Sequence, residues 1–97
     1  MKNTHKLKGI VWLYQGNAPW HFVTIAKEDM KQIHMDVVLS GGFKSIKVNI
    51  TLGKTEWKTS IFKDKDDSYL LPIKKEIRKL ENIKTGDKIN FKIEVVN

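Results

Sequence analysis

The chain has no cysteine, so disulfides and thiolate metal sites are excluded, and the composition suits a reducing compartment. No signal peptide is expected: Met1–Lys6 is polar and basic, and the aliphatic and aromatic run that follows, Ile10–Tyr14, is far too short to cross a bilayer. A cytoplasmic protein without a membrane partner is expected. Glycine-rich phosphate loops and a G-x-S-x-G nucleophile elbow are also missing; Ser40, Ser45, Ser60 and Ser68 sit in turns or strands, and Gly41-Gly42 reads as a helix stop. No cofactor is expected. His5, His21 and His34 share no ligand spacing, so no metal is expected either. Asp64, Asp66 and Asp67 alternate with Lys63 and Lys65, which describes a solvated turn better than a calcium loop.

What is present is enough for one core. Ninety-seven residues, 40% apolar and 30% charged, describe a single globular domain spanning 1–97. The net charge of +7 is spread over both halves of the chain: residues 1–53 hold seven lysines against three acids, and residues 54–97 hold eleven basic side chains against eight acids. Such an excess serves solubility, and it is also the minimum that a nucleic-acid binder requires.

Alternation marks the strands. Leu7, Gly9, Val11 and Leu13 face one way from His5 to Tyr14, with Ile10, Trp12 and Tyr14 on the other side, predicting a strand covered on both faces at its middle. Gln15–Pro19 is a turn, and the β-branched and aromatic segment Trp20–Ile25 a second strand. The period changes over Lys27–Val38, where Met30, Ile33 and Val37 share one helical face and Ser40-Gly41-Gly42 ends the helix. Ile46, Val48, Ile50 and Leu52 form a half-buried strand. After Gly53-Lys54 come strands over Thr55–Phe62 and Ser68–Leu71, a boundary at Pro72, and a helix whose apolar face is Ile73, Ile77 and Leu80. Lys84–Asp87 closes that helix, and a last strand carries Ile89, Phe91, Ile93 and Val95.

The order is β-β-α-β twice, with halves at about 5–52 and 54–96. Laid over each other at an offset of 47, Phe22-Val23-Thr24 meets Tyr69-Leu70-Leu71, Met30 and Ile33 meet Ile77 and Leu80, and Ile46 and Val48 meet Ile93 and Val95. Two such units facing each other bury what one leaves exposed. The predicted architecture is therefore a mainly β fold, a pseudo-twofold double-split barrel with two short helices, closed within one chain and expected to be monomeric.

Two resemblances bear on this. The segment Tyr69–Leu80, with Ile83-Lys84-Thr85-Gly86-Asp87-Lys88 after it, resembles the swapped-hairpin barrels of AbrB-like and MazE-like proteins, which build one barrel from two chains. Over nearly the whole chain, Val11-Trp12, Trp20–Ile25, Trp57–Phe62 and Tyr69–Pro72, taken in that order, resemble the bacterial and archaeal family of domains of unknown function numbered 1905. Ala26 and Lys63 stand where that family is expected to have proline, and Phe43-Lys44 where Trp-Gly is expected. The resemblance implies a small barrel and carries no established activity.

Three functions follow, in order. The lack of a nucleophile–base pair, metal set or cofactor loop favours a small non-enzymatic binding or interaction module. A nucleic-acid-binding regulator of AbrB-like type is second, through Lys58, Lys63 and Lys65 on the second hairpin and Lys74, Lys75, Arg78 and Lys79 on the second helix, where Lys74 and Arg78 share a face. Third is an enzyme or small-ligand binder, with Trp12, Trp20, His21, Trp57 and Tyr69 meeting at one barrel mouth as an apolar slot with a few polar groups.

Overall fold

The computed structural model describes residues 4–40 and 45–96, the side chains of 34–40 excepted. Six strands, β1 (Thr4–Tyr14), β2 (Trp20–Ile25), β3 (Ser45–Leu52), β4 (Thr55–Lys63), β5 (Tyr69–Pro72) and β6 (Lys88–Val95), close into one antiparallel barrel in the order β1-β2-β5-β4-β3-β6. Helix α1 (Lys27–Ser40) joins β2 to β3, and α2 (Lys75–Leu80) joins β5 to β6. The family of elements is as expected, a closed β-barrel with two helices. The expectations for Val37, His34, Ser40-Gly41-Gly42 and Phe43-Lys44 concern side chains or segments outside the described residues.

Alternation produced these strands because each has one face in water and one in the barrel. Val11, Val23, Ile25, Val48, Ile50, Ile61, Leu71 and Ile93 fill the interior and are essentially inaccessible. Each helix closes one end. Met30 and Ile33 of α1 plug the lower end, where β2 and β6 finish; Ile73, Ile77 and Ile83 plug the upper end, where β2 and β6 begin. Apart from the Tyr69 phenol, no polar or charged side chain is buried among the described residues. The barrel is a packed core and not a container.

The strand order is unchanged when β1 is exchanged with β4, β2 with β5 and β3 with β6. The residue offset of 47 does not follow that exchange throughout. It carries inward-facing Ile46 onto inward-facing Ile93, but it sets buried Val23 on half-buried Leu70 and exposed Thr24 on buried Leu71. Inward positions are odd on both β2 and β5 but even on β3 and odd on β6, so with a side-chain period of two no single offset keeps both strand pairs in phase. The halves therefore differ in the lengths of their connections.

Two further expectations change. β1 is not covered on both faces, since Ile10 on its outer side is 58% exposed. In the second helix Leu80 is 70% exposed, and Ile83 takes the buried place assigned to it. The cause is the length of α2. After only six residues Asn82 adopts a left-handed φ of 54°, the Ile83 amide donates to the Arg78 carbonyl at 2.8 Å, and the chain reverses to press Ile83 on the core. This is a Schellman stop with asparagine where glycine is commonest.

β1 serves two neighbours in succession. Residues 4–10 pair with β6 and residues 11–14 with β2. At the changeover Gly9 lies against β2 so closely that a Cβ there would stand 2.5 Å from Val23 Cγ1.

Candidate binding surface

The hairpin register decides where the aromatic residues go. Tyr14 pairs with Trp20 and Trp12 with Phe22, all on the outer side of the barrel. Trp20 stacks on Phe22 with centroids 6.0 Å apart and planes 5° from parallel; Trp12 and Tyr14 lean on the same Phe22 ring at 5.5 and 6.4 Å. The Trp12 Nε1–H donates to Thr24 Oγ1 at 3.0 Å, which holds that indole flat against β2. Trp20 and Tyr14 remain 50% and 49% exposed. Four aromatic rings thus form a water-facing cluster on one hairpin, an arrangement suited to stacking against a partner's planar or apolar groups.

The five residues proposed for one barrel mouth are not brought together. Trp12 and Trp20 lie outside the barrel. His21 lies at the upper end, opposite Leu13, while Tyr69 is buried at the lower end, paired with Ile25. Burial, then the charge of Asp67, raises the Tyr69 phenol above its ordinary pKa. Trp57 is half-buried and packs against the core, with its Nε1–H buried and lacking a hydrogen-bond partner. Strand parity separates these groups: odd positions on β2 point in and even positions point out.

At the upper end His21 Nε2 lies 3.1 Å from Thr85 Oγ1, and the His21 carbonyl accepts from the Ile73 amide at 2.9 Å. Desolvation, and after it the positive charge of Arg78, holds the imidazole below the ordinary histidine pKa. The Arg78 Nε–H donates to the Ile73 carbonyl at 3.3 Å, tying α2 to the end of β5. Among the described residues no acid orients the other ring nitrogen of His21, and no group of three His, Asp or Glu side chains is placed to hold a metal.

The predicted basic cluster divides. Lys58 and Lys74 line one groove of about 410 Å³ together with Lys47 and Phe62. Lys63 follows Phe62 at the end of β4, where its Nζ lies 3.6 Å from Asp67, and Lys65 is in the turn beyond; neither lines that groove. Lys75 and Lys79 are exposed on α2, and Arg78 is half-buried.

A second basic surface was not expected. On β1 and β6, Lys6 lies directly opposite Lys92, Lys8 opposite Asn90 and Ile10 opposite Lys88. Lys6, Lys8 and Lys92 line a groove of about 550 Å³ that reaches Thr51 of β3 and Gly53 of the β3–β4 turn. The signal on β1 was legible, since Lys6, Lys8, Ile10, Trp12 and Tyr14 are alternate residues of one strand and share its outer face. The Lys6–Lys92 pairing was not, because it depends on the register of strands more than eighty residues apart in the chain.

Residues 8–93 match the model of the family described as a domain of unknown function (DUF1905), and the chain belongs to that family. No curated protein matches it. Among the described residues no helix is long and apolar enough to cross a membrane.

Proposed function

We infer that the protein is a small non-enzymatic binding module whose working surface is the outer face of the β1–β2 hairpin. The observation that carries this is the exposure of Trp20 and Tyr14 around Phe22 on the outside of a barrel whose interior is already full. Exposed aromatic surface adds nothing to the stability of the fold. It contributes on association, at about 25 cal/mol per Å² of apolar area removed from water. Closure of the barrel within one chain supports a monomer, and the absence of cysteine fits a cytoplasmic setting.

Nucleic-acid binding at the α2 side is the second reading. Lys58 and Lys74 on one groove support it, as does the AbrB-like segment Tyr69–Leu80. A catalytic role rests on the His21–Thr85 contact alone, which lacks an orienting acid.

Amide and indole NMR shifts of the purified domain, titrated with a panel of nucleobases, short peptides and oligonucleotides, test the inference. Perturbations centred on Trp20, Tyr14 and Trp12, lost in a Trp20→Ala domain that still unfolds cooperatively, are expected. Perturbations confined to His21 and Thr85, together with turnover of a panel member, would overturn it.

A further inference from the structure

The outward row of β1 changes character along its length. From the lower end it reads Lys6, Lys8, Ile10, Trp12, Tyr14, so cations occupy one half and aromatic rings the other. The neighbouring strands extend both halves: β6 adds Lys92 and Lys88 beside the cations, and β2 adds Phe22 and Trp20 beside the rings. From Lys6 to Tyr14 the row spans about 27 Å at 3.3–3.4 Å per residue.

Neither half is explained by the fold. Like charges directly opposite each other across a sheet destabilise it, yet Lys6 faces Lys92. Among the described residues no carboxylate forms an ion pair with Lys6, Lys8, Lys88 or Lys92. Glu94 and Glu56 line a second groove together with Lys6 and Lys92, Glu94 two residues along β6 from Lys92 and Glu56 opposite Thr51, the β3 partner of Lys92; Lys8 and Lys88 lie outside that groove. A cationic row without ion pairs that continues into half-exposed, stacked rings matches a polymer with negative charge at every repeat and a planar apolar group on each unit.

We propose that the outer face of β1, with its β2 and β6 neighbours, binds single-stranded nucleic acid. Phosphates lie on Lys6, Lys92 and Lys8, and bases stack on Trp20 and Tyr14 at the other end of the row. The path accommodates about four to five nucleotides, the short end of the range for small β-barrel binders. A duplex keeps its bases stacked on each other and offers these rings nothing, so the face selects unpaired strands. This rests on the binding-module inference above and names its partner.

Fluorescence anisotropy of labelled oligothymidylate and oligouridylate tests it, with a duplex of equal length and polyglutamate as controls. Three phosphate contacts predict a slope of log K against log salt of about −2, at about −0.7 per contact. Trp20→Ala should weaken single-strand binding about 5- to 150-fold, the range for loss of one stacked base. Lys6→Glu replaces a like-charge pair by an opposite one across from Lys92, so it should abolish binding while the domain unfolds at the same or higher denaturant concentration. The milder Lys6→Gln should reduce the salt slope by about 0.7. Absence of binding at low salt overturns the proposal. Equal binding of duplex or polyglutamate, indifferent to Trp20→Ala, overturns it too, by showing a plain polyanion surface. If peptides or free bases perturb Trp20 while oligonucleotides do not, the nucleic-acid partner is wrong and the binding module stands.

Discussion

Adding one methyl group at Gly9 probes the place where β1 passes from β6 to β2. The backbone there has no left-handed φ, so alanine is conformationally acceptable and the effect is steric. A Cβ would lie 2.5 Å from Val23 Cγ1 and 3.7 Å from the Thr24 carbonyl oxygen. Carbon atoms in contact prefer about 3.5–4.0 Å, so the two groups must separate by at least about 1 Å. Val23 is fully buried and its β-branched side chain is stiff at χ1, so the backbone has to move. Overpacking of this kind costs about 1–3 kcal/mol. The smaller entropy of an unfolded chain with alanine returns about 0.4–1 kcal/mol. A net loss of about 1–2 kcal/mol is expected, read from urea unfolding followed by tryptophan fluorescence. Val23→Ala alone should also destabilise, by leaving a cavity. In the Gly9→Ala/Val23→Ala double variant the new methyl occupies part of that cavity, so the losses should fall short of additive by about 1 kcal/mol or more. Additive losses, or a Gly9→Ala protein as stable as the parent, would refute close packing of β1 on Val23.

Other perturbations separate the remaining contributions. Trp57→Phe removes a buried donor that has no partner, a group whose desolvation costs about 1–3 kcal/mol. The loss of ring area is then largely offset, and the urea midpoint should change far less than the 3–5 kcal/mol typical of a truncated core aromatic; a loss of that full size would contradict it. Asn82→Gly should leave stability unchanged or raise it, whereas Asn82→Val should cost about 1–2 kcal/mol because a branched residue is forced into the left-handed region. Equal thermal midpoints for the two variants would count against the Schellman stop. The fold favours neutral His21, so its folded pKa lies below its unfolded value of about 6.5. Its contribution is complete above that pH and is lost as pH falls from there towards the folded pKa. The urea midpoint should therefore drop on acidification through this window more in the parent than in His21→Gln, and an NMR titration placing His21 at or above 6.5 would reverse the sign.

Local chemistry decided what kind of pieces the chain forms. Ile46-Val48-Ile50-Leu52 and Ile89-Phe91-Ile93 announce strands with one buried face, because a period of two and a one-sided solvent act residue by residue. Met30 and Ile33 announce a helix in the same way. The cationic and aromatic character of the outer row of β1 is likewise written in alternate residues. Tertiary structure decided how these pieces meet. Leu80 and Ile83 exchange places because the chain reverses at Asn82. His21 and Tyr69, both on or beside aromatic strands, part to opposite ends of the barrel because β2 and β5 run antiparallel. Trp20 stacks on Phe22, and Phe22 gathers Trp12 and Tyr14, only in the observed hairpin register, and Lys6 meets Lys92 only once the first and last strands pair to close the barrel. Periodicity belongs to a segment, whereas register and closure belong to pairs of segments, so the elements are readable one strand at a time and the binding face is not.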